Sequence, residues 1–291
     1  MNGIAAVDIG GTKIAVGAER PEHDTTAPTP RGADAIVATV VDLVRSLPVP
    51  ELRAVGVGSA GTFDATGTVV AATDLIPGWT GYPLATRLRD ELRVPVTVLN
   101  DVHAAGLGEA VAGAGRGVAR VLVAATGTGL GGAVVLGGAV DTGGHGVAGS
   151  LGHVVLPGLD RVCSCGRTGH AEPYASGPGM ERSYVELTGH SEGLRRIGEL
   201  ARAGDEHALS AIRLGGEALG RALAAAAAIA DPDLVIVGGG PSQLGELLLG
   251  PTRAAFREDA PTPLVDVPVV AAELGPRAAI VGALEAARLA R

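Results

Sequence analysis

The sequence predicts an α/β protein of two lobes. Apolar strand-like runs alternate with segments of helical spacing, the succession that builds α/β domains. The strand, glycine turn, strand theme of residues 7–17 returns in residues 118–143, so each half of the chain is headed by a similar hairpin. A length of 291 residues suits two domains or one large one. Apolar residues make up 46% of the chain and aromatics only 2%, so the core must be aliphatic.

The first hairpin lies in VDIGGTKIAVG (7–17). Alternation stops at Gly10-Gly11-Thr12-Lys13 and resumes through Ile14, Ala15 and Val16, the pattern of two strands around a glycine tip. A polar, Pro-containing stretch (19–32) extends the hairpin region. A helix follows over 33–47, where apolar residues recur at helical spacing and Pro48 closes the run. Residues 52–61 read as a buried strand, 83–92 as a helix, and 94–101 as a strand with two polar residues at its end. Residues 102–115 continue as a Gly- and Ala-rich helix that breaks over 113–117. After the second hairpin comes a long helical region over about 191–230. Residues 232–244 read strand, glycine turn, helix; 263–274 read as a strand and 277–291 as the closing helix.

The formal net charge is −8, with no basic run and few stacking aromatics, which argues against nucleic acid as a partner. No uncharged apolar stretch is long enough to span a bilayer, and Asp8 interrupts any apolar core of a signal segment. A soluble, cytoplasmic protein is expected. The two cysteines, Cys163 and Cys165, are one residue apart, too close for an unstrained disulfide and too few for a secreted framework.

Gly127, Gly129 and Gly132 fit G-x-G-x-x-G. A dinucleotide site needs a helix directly after the glycines, and here Ala133-Val134-Val135-Leu136 reads as a strand. No G-x-x-x-x-G-K-[ST] loop occurs either. What remains is two hairpin tips, Gly10 to Lys13 and Thr126 to Gly129, each with backbone N–H groups and threonine hydroxyls. Two such tips suit a polyphosphate, with Asp8 available to hold Mg²⁺ directly or through water. A third glycine cluster, Gly238-Gly239-Gly240, ends a strand and could admit a flat base.

Asn100-Asp101 ends a strand, and two readings fit it. A carboxylate there suits a general base taking a proton from a substrate hydroxyl; the pair can equally cap the next helix. Residues 149–176 hold His153, Cys163, Cys165 and His170, donor types that suit tetrahedral Zn²⁺, with glycines that let the chain wrap a metal. The alternative is two reduced thiols and two surface histidines.

Together DIGGTK (8–13), LND (99–101), TGTGLGG (126–132), AGSLGH (148–153), CSCGRTGHAEPYASG (163–177) and VIVGGG (235–240) resemble the ROK family of sugar kinases, repressors and related proteins, over nearly the whole chain. The resemblance implies an actin/hexokinase-like (ribonuclease H-like) fold. Its N-terminal α/β lobe would be residues 1–112 plus 277–291, its C-terminal α/β lobe residues 113–276 with a zinc-binding loop, and its active site the interdomain cleft. It also implies transfer of the γ-phosphoryl group of ATP, with Mg²⁺, to the 6-hydroxyl of a hexose or N-acylhexosamine, N-acetylmannosamine or glucose foremost.

By the same resemblance Asp101 is the general base. Gly61, Asn100, Asp101, Ser150, His153 and Glu172 form the sugar site. Asp8, Gly10, Gly11, Thr12, Lys13, Thr126, Gly127, Thr128, Gly238 and Gly239 bind ATP, and His153, Cys163, Cys165 and His170 bind zinc. A homodimer is implied as well. Two positions depart from the family pattern: His170 stands where a third Cys is usual, and Ser150 where glucokinase-like members have a Glu. A neutral residue at 150, with GSAG (58–61), resembles some bacterial N-acetylmannosamine kinases. The alternative function is a catalytically weak, sugar-sensing regulator. The DNA-binding domain that ROK repressors carry before the first hairpin is not expected, because Asp8 comes almost at once.

Overall fold

Small and β-branched residues around Asp8 form a strand buried on both faces, and the first sheet is assembled on it. The computed structural model describes residues 3–49, 51–72 and 76–290. Met1, Asn2, Pro50, Thr73, Asp74, Leu75 and Arg291, which the expected N-terminal lobe includes, lie outside the described residues. In chain order the elements are β1 (Ile4–Ile9), β2 (Lys13–Gly17), β3 (Thr25–Pro28), α1 (Ala33–Ser46), β4 (Ala54–Ser59), β5 (Thr62–Phe63), β6 (Val69–Ala71), α2 (Leu84–Leu92), β7 (Val96–Asn100) and α3 (Asp101–Ala112). They continue as β8 (Arg120–Thr126), β9 (Leu130–Leu136), β10 (Ala139–Asp141), α4 (Glu172–Ala175), α5 (Gly177–Thr188), α6 (Leu194–Arg202) and α7 (Glu206–Ala230). The chain closes with β11 (Leu234–Gly238), α8 (Glu246–Asp259), β12 (Val269–Ala271) and α9 (Ala278–Leu289).

The chain divides into two compact α/β units. One holds the residues up to Gly113, Gly138–Ala148 and the residues from Pro276 onward; the other holds Ala114–Gly137 and Gly149–Gly275.

In the first unit the strand order is β3-β2-β1-β4-β7. β1 pairs antiparallel with β2, and β1, β4 and β7 run parallel. The register sets Ile9 beside Ser59 and Ser59 beside Asn100, so the carboxyl ends of three parallel strands finish in one row. That edge is where open α/β sheets present ligand-binding groups. One sheet face packs on α1 through Ile36, Val37, Val40, Val41 and Val44, all buried at helical spacing. On α3 and α9 glycines replace side chains where the helices meet. A Cβ at Gly108 would collide with the Ala278 carbonyl, and one at Gly282 with that of Ala104. The two helices therefore pack backbone to backbone, which fixes the axis of α3.

In the second unit the order is β9-β8-β11-β12, with β8 and β9 antiparallel and β8, β11 and β12 parallel. The buried stripe of α7, Ala218, Leu219, Ala222, Leu223 and Ala227, joins Val235 and Val237 of β11 and Phe256 of α8 in one aliphatic core.

Three expectations are corrected. The strand over 263–274 shrinks to Val269–Ala271, because Thr262–Leu264 turns as a 3₁₀ helix between prolines. The helical region 191–230 is two helices, broken where Gly204 adopts φ +90°. The helix after Gly238 is a 3₁₀ turn, Gly240–Leu244, and the α-helix begins at Glu246. Among the described residues no helix is long and apolar enough to cross a membrane.

Candidate active site and metal centre

In the first unit the Gly10–Lys13 turn joins β1 to β2. Gly10 N–H donates to Lys13 O at 3.0 Å, and Thr29 braces the turn twice: its Oγ1 donates to Gly10 O at 2.7 Å and its N–H to Thr12 O at 3.0 Å. Gly11, Thr12 and Lys13 are left exposed. Asp8 lies one residue before the end of β1, opposite Gly58 of β4. Burial, and then the charge of Asp101, push its carboxyl up to about 6, while Lys13 pulls the other way.

Asn100 ends β7 and caps α3. Its Oδ1 accepts from Val102 N–H at 2.9 Å and from His103 N–H at 3.3 Å, while its Nδ2 donates to Gly61 O at 3.1 Å. Gly61 has φ +118°, and the preceding Ala60 carbonyl accepts from buried Trp79 Nε1 at 3.0 Å. Asp101 is the first residue of α3, with Oδ1 accepting from Val102 N–H at 2.9 Å. Burial raises its pKa above the usual carboxylate range, partly offset by that backbone bond. A cavity of about 690 Å³ opens beside Asn100 and His103, lined also by Asp64, Arg89, Val98 and His145.

In the second unit the Thr126–Gly129 turn is held against the end of α4 and the start of α5. Thr126 is fully buried and its Oγ1 donates to Ala175 O at 2.7 Å; Gly177 N–H donates to Gly127 O at 2.9 Å. The hydroxyl of Thr126 is thus committed inside the unit, and Thr128 is the exposed threonine of this tip. Gly239, at φ +91°, lies so near the Thr126 carbonyl that any Cβ would collide with it, which brings the end of β11 beside the turn. Ser150 is exposed and precedes the 3₁₀ turn Leu151–His153.

His153, Cys163, Cys165 and His170 meet at one point, with one donor atom from each all within 4.8 Å of one another. His153 Nδ1 is 3.2 Å from His170 Nδ1, Cys165 Sγ is 3.3 Å from His170 Nδ1, and Cys163 Sγ is 3.9 Å from His153 Nδ1. Tetrahedral zinc, at roughly 2.1 Å from nitrogen and 2.3 Å from sulfur, separates its ligands by roughly 3.3–3.8 Å. The cluster fits that ion. Isolated β-bridges, Val155 to His170 and Val162 to Thr168, fold the loop, and Gly166 and Gly169 take positive φ within it. Burial pushes the Cys163 thiol up, with the charge of Glu172 adding to it. Such a thiol needs a cation to ionise it.

Glu172, at the start of α4, accepts from Leu130 N–H at 3.1 Å through Oε2 and from Ser164 Oγ at 3.0 Å through Oε1. Two anchors of the site carry no motif. Thr29 comes from a segment that reads only as polar. Arg161 is buried, its guanidinium 4.1 Å from the Tyr174 ring centroid. It donates to Pro173 O, Gly179 O, Ser183 Oγ and Glu186 at 2.6–3.1 Å. Lone polar residues of this kind give no spacing signal; only the neighbouring C-x-C hints that the loop needs an anchor.

Two α/β units with glycine-tipped hairpins and a cysteine–histidine loop define a two-lobed α/β protein of the hexokinase kind. Residues 4–289 match the ROK family, and the chain belongs to it. A glucokinase of Streptomyces coelicolor is 35% identical, over 97% of this chain and 96% of that protein. An N-acetylmannosamine kinase of Escherichia coli is 33% identical, over 87% of this chain and 90% of that protein. The crystal structure of a ROK family glucokinase from Streptomyces griseus in complex with glucose and AMPPNP matches with a TM-score of 0.82 and 36% identity, over 98% of this chain and 99% of that one.

Proposed function

We propose that this protein is a sugar kinase that transfers the γ-phosphoryl group of ATP to the 6-hydroxyl of a hexose or N-acylhexosamine. The observation that carries this reading is the division of labour at the end of β7. Asn100 already caps α3 with two bonds, so the one Val102 N–H that Asp101 Oδ1 shares with it does not account for the half-buried carboxylate beside it. In the proposed reaction Asp101 accepts the proton of the 6-hydroxyl as that oxygen bonds to the γ-phosphorus. The bond from the γ-phosphorus to its bridging oxygen breaks, and ADP leaves. Such a transfer asks the protein mainly for positioning and charge stabilisation.

The reading assigns the nucleotide to Gly10, Gly11, Thr12 and Lys13, to Gly127 and Thr128 at a turn that buried Thr126 holds in place, and to Gly238 and Gly239. Asp8 would hold Mg²⁺, directly or through water, where the ion supplies positive charge to the phosphates. Gly61, Asn100, Ser150, His153 and Glu172 are assigned to the sugar. His153 turns Nδ1 into the metal cluster, which leaves Nε2 for a sugar hydroxyl. Zinc on His153, Cys163, Cys165 and His170 would fix that orientation and hold the loop folded.

Ser150 favours a second reading of the substrate. A serine leaves room and removes a charged acceptor where a Glu would bind hydroxyls, so N-acetylmannosamine is proposed beside glucose. An ATP-consumption assay over glucose, mannose, N-acetylglucosamine and N-acetylmannosamine tests both readings. Turnover with one of these sugars is expected; sugar binding without turnover would favour the regulator.

A further inference from the structure

We infer that Ser164, between the two cysteines of the loop, is the residue that sets the orientation of Glu172. Three observations in the second unit lead there. Gly127 N–H donates to Gly129 O, which makes Thr126 and Leu130 a non-hydrogen-bonded pair in the antiparallel hairpin. The N–H of Leu130 therefore turns away from β8, and it donates to Glu172 Oε2 at 3.1 Å. The other carboxylate oxygen, Oε1, takes the Ser164 hydroxyl at 3.0 Å, with Cys163 Sγ at 3.6 Å.

Glu172 is thus gripped at both oxygens, from the hairpin tip on one side and from the cysteine loop on the other. Glycines keep the space around it open: a Cβ at Gly129 would sit 2.7 Å from Oε2, and one at Gly152 3.3 Å from it. With Leu130 N–H on Oε2 and the Ser164 hydroxyl, beside the longer Cys163 Sγ contact, on Oε1, the plane of the carboxylate is fixed and each oxygen keeps acceptor capacity for a ligand hydroxyl. The Leu130 N–H is a backbone group and cannot be varied by sequence. The Ser164 hydroxyl is the adjustable half of the grip; without it Oε1 keeps only the long Cys163 Sγ contact, which donates nothing once that sulfur is a thiolate, and the carboxylate is then free to rotate about its bond to Leu130.

The inference rests on the proposed role of Glu172 at the sugar. It makes Ser164 a positioning residue, one that acts through Glu172 and does not touch substrate. The experiment compares Ser164→Ala and Ser164→Thr with wild type. The readouts are KM for sugar, KM for ATP, kcat, bound zinc, and hydrogen exchange of the Leu130 amide. Loss of a charge-assisted hydrogen bond corresponds to about tenfold or more in affinity. Ser164→Ala is expected to raise the sugar KM by about tenfold, with kcat and the ATP KM within about twofold of wild type. Zinc should stay at the wild-type level, the Leu130 amide should exchange faster, and Ser164→Thr should restore both values. An unchanged sugar KM and unchanged Leu130 exchange in Ser164→Ala overturn the inference. So does loss of zinc in step with the KM change, or a threonine variant that behaves like the alanine one. If wild type phosphorylates none of the sugars, the proposed function fails, and Leu130 exchange alone then decides whether Ser164 orients Glu172.

Discussion

The charge of Asp101 reaches Asp8. Together with burial, the larger cause, it pushes the Asp8 carboxyl up to about 6, against the pull of Lys13. Gly58, opposite Asp8 in the sheet, keeps the approach open: a Cβ there would lie 3.1 Å from Ala104 Cβ and 3.8 Å from Asp101 Cα. Two acidic groups held close in this way make a poor resting place for an anion and a good one for a cation that compensates them.

The first prediction follows from the sign of that shift. The Asp8 carboxyl goes from 3.8 in the unfolded chain to about 6 when folded, so the folded state holds the proton more tightly. Its stability contribution is present below 3.8 and is lost as pH rises through about 6. Asp8→Asn removes the penalty and should stabilise the ligand-free protein at pH 7.5 by about 1–3 kcal/mol, while weakening Mg²⁺–ATP binding. Urea unfolding and nucleotide titration check both halves. A variant that is less stable than wild type would contradict the account.

Zinc should be found at one ion per chain in freshly purified, unchelated protein. Chelation should lower both stability and sugar phosphorylation, because the ligands fold around the metal. His170→Cys should keep the ion, since thiolate and imidazole both suit zinc, and Cys163→Ala should lose it. Metal analysis with thermal unfolding measures this, and a zinc-free native protein would sink it.

Ser150→Glu should move the sugar ranking toward glucose. A carboxylate accepting a sugar hydroxyl contributes roughly 1.5–3 kcal/mol, while the serine leaves space for an N-acyl group. The comparison is kcat/KM for the four sugars in both proteins. Wild type preferring glucose by more than about tenfold would reject the N-acylhexosamine reading.

Arg161→Met should cost about 2–4 kcal/mol of stability, because Pro173 O and Gly179 O each lose a charged donor and Glu186 its buried partner. Arg161→Lys should recover only part of this, since a single ammonium cannot reproduce the fork or the stacking on Tyr174. Chemical denaturation separates the two variants, and a methionine variant as stable as wild type would count against an anchoring role.

The hairpins, the β7 end with Asn100-Asp101 and the cysteine–histidine set were legible because each is local: a turn, a strand end, a short spacing. What was hidden depends on partners distant in sequence. Helix α5 opens Gly-Pro-Gly, residues that do not announce a helix, yet Ser176 Oγ caps it by accepting from Gly179 N–H. Helix α8 carries Pro251 inside it, a residue that argues against a helix until Thr252 and Phe256 are seen packed on α7. Residues 263–274 alternate like a strand, but the prolines at 261 and 263 hold the first part in a 3₁₀ turn. The grip of Leu130 and Ser164 on Glu172 has no sequence signature, since it joins a backbone group, an isolated serine and a glutamate.

The most direct test of the central claim is single-turnover phosphorylation of the preferred sugar by Asp101→Asn, with sugar affinity measured on the same protein. Asparagine keeps the shape but cannot take the proton, and loss of a general base costs about 10²–10⁴ in rate. The account predicts that loss, with sugar affinity within about tenfold of wild type. Turnover by Asp101→Asn close to wild type would contradict it.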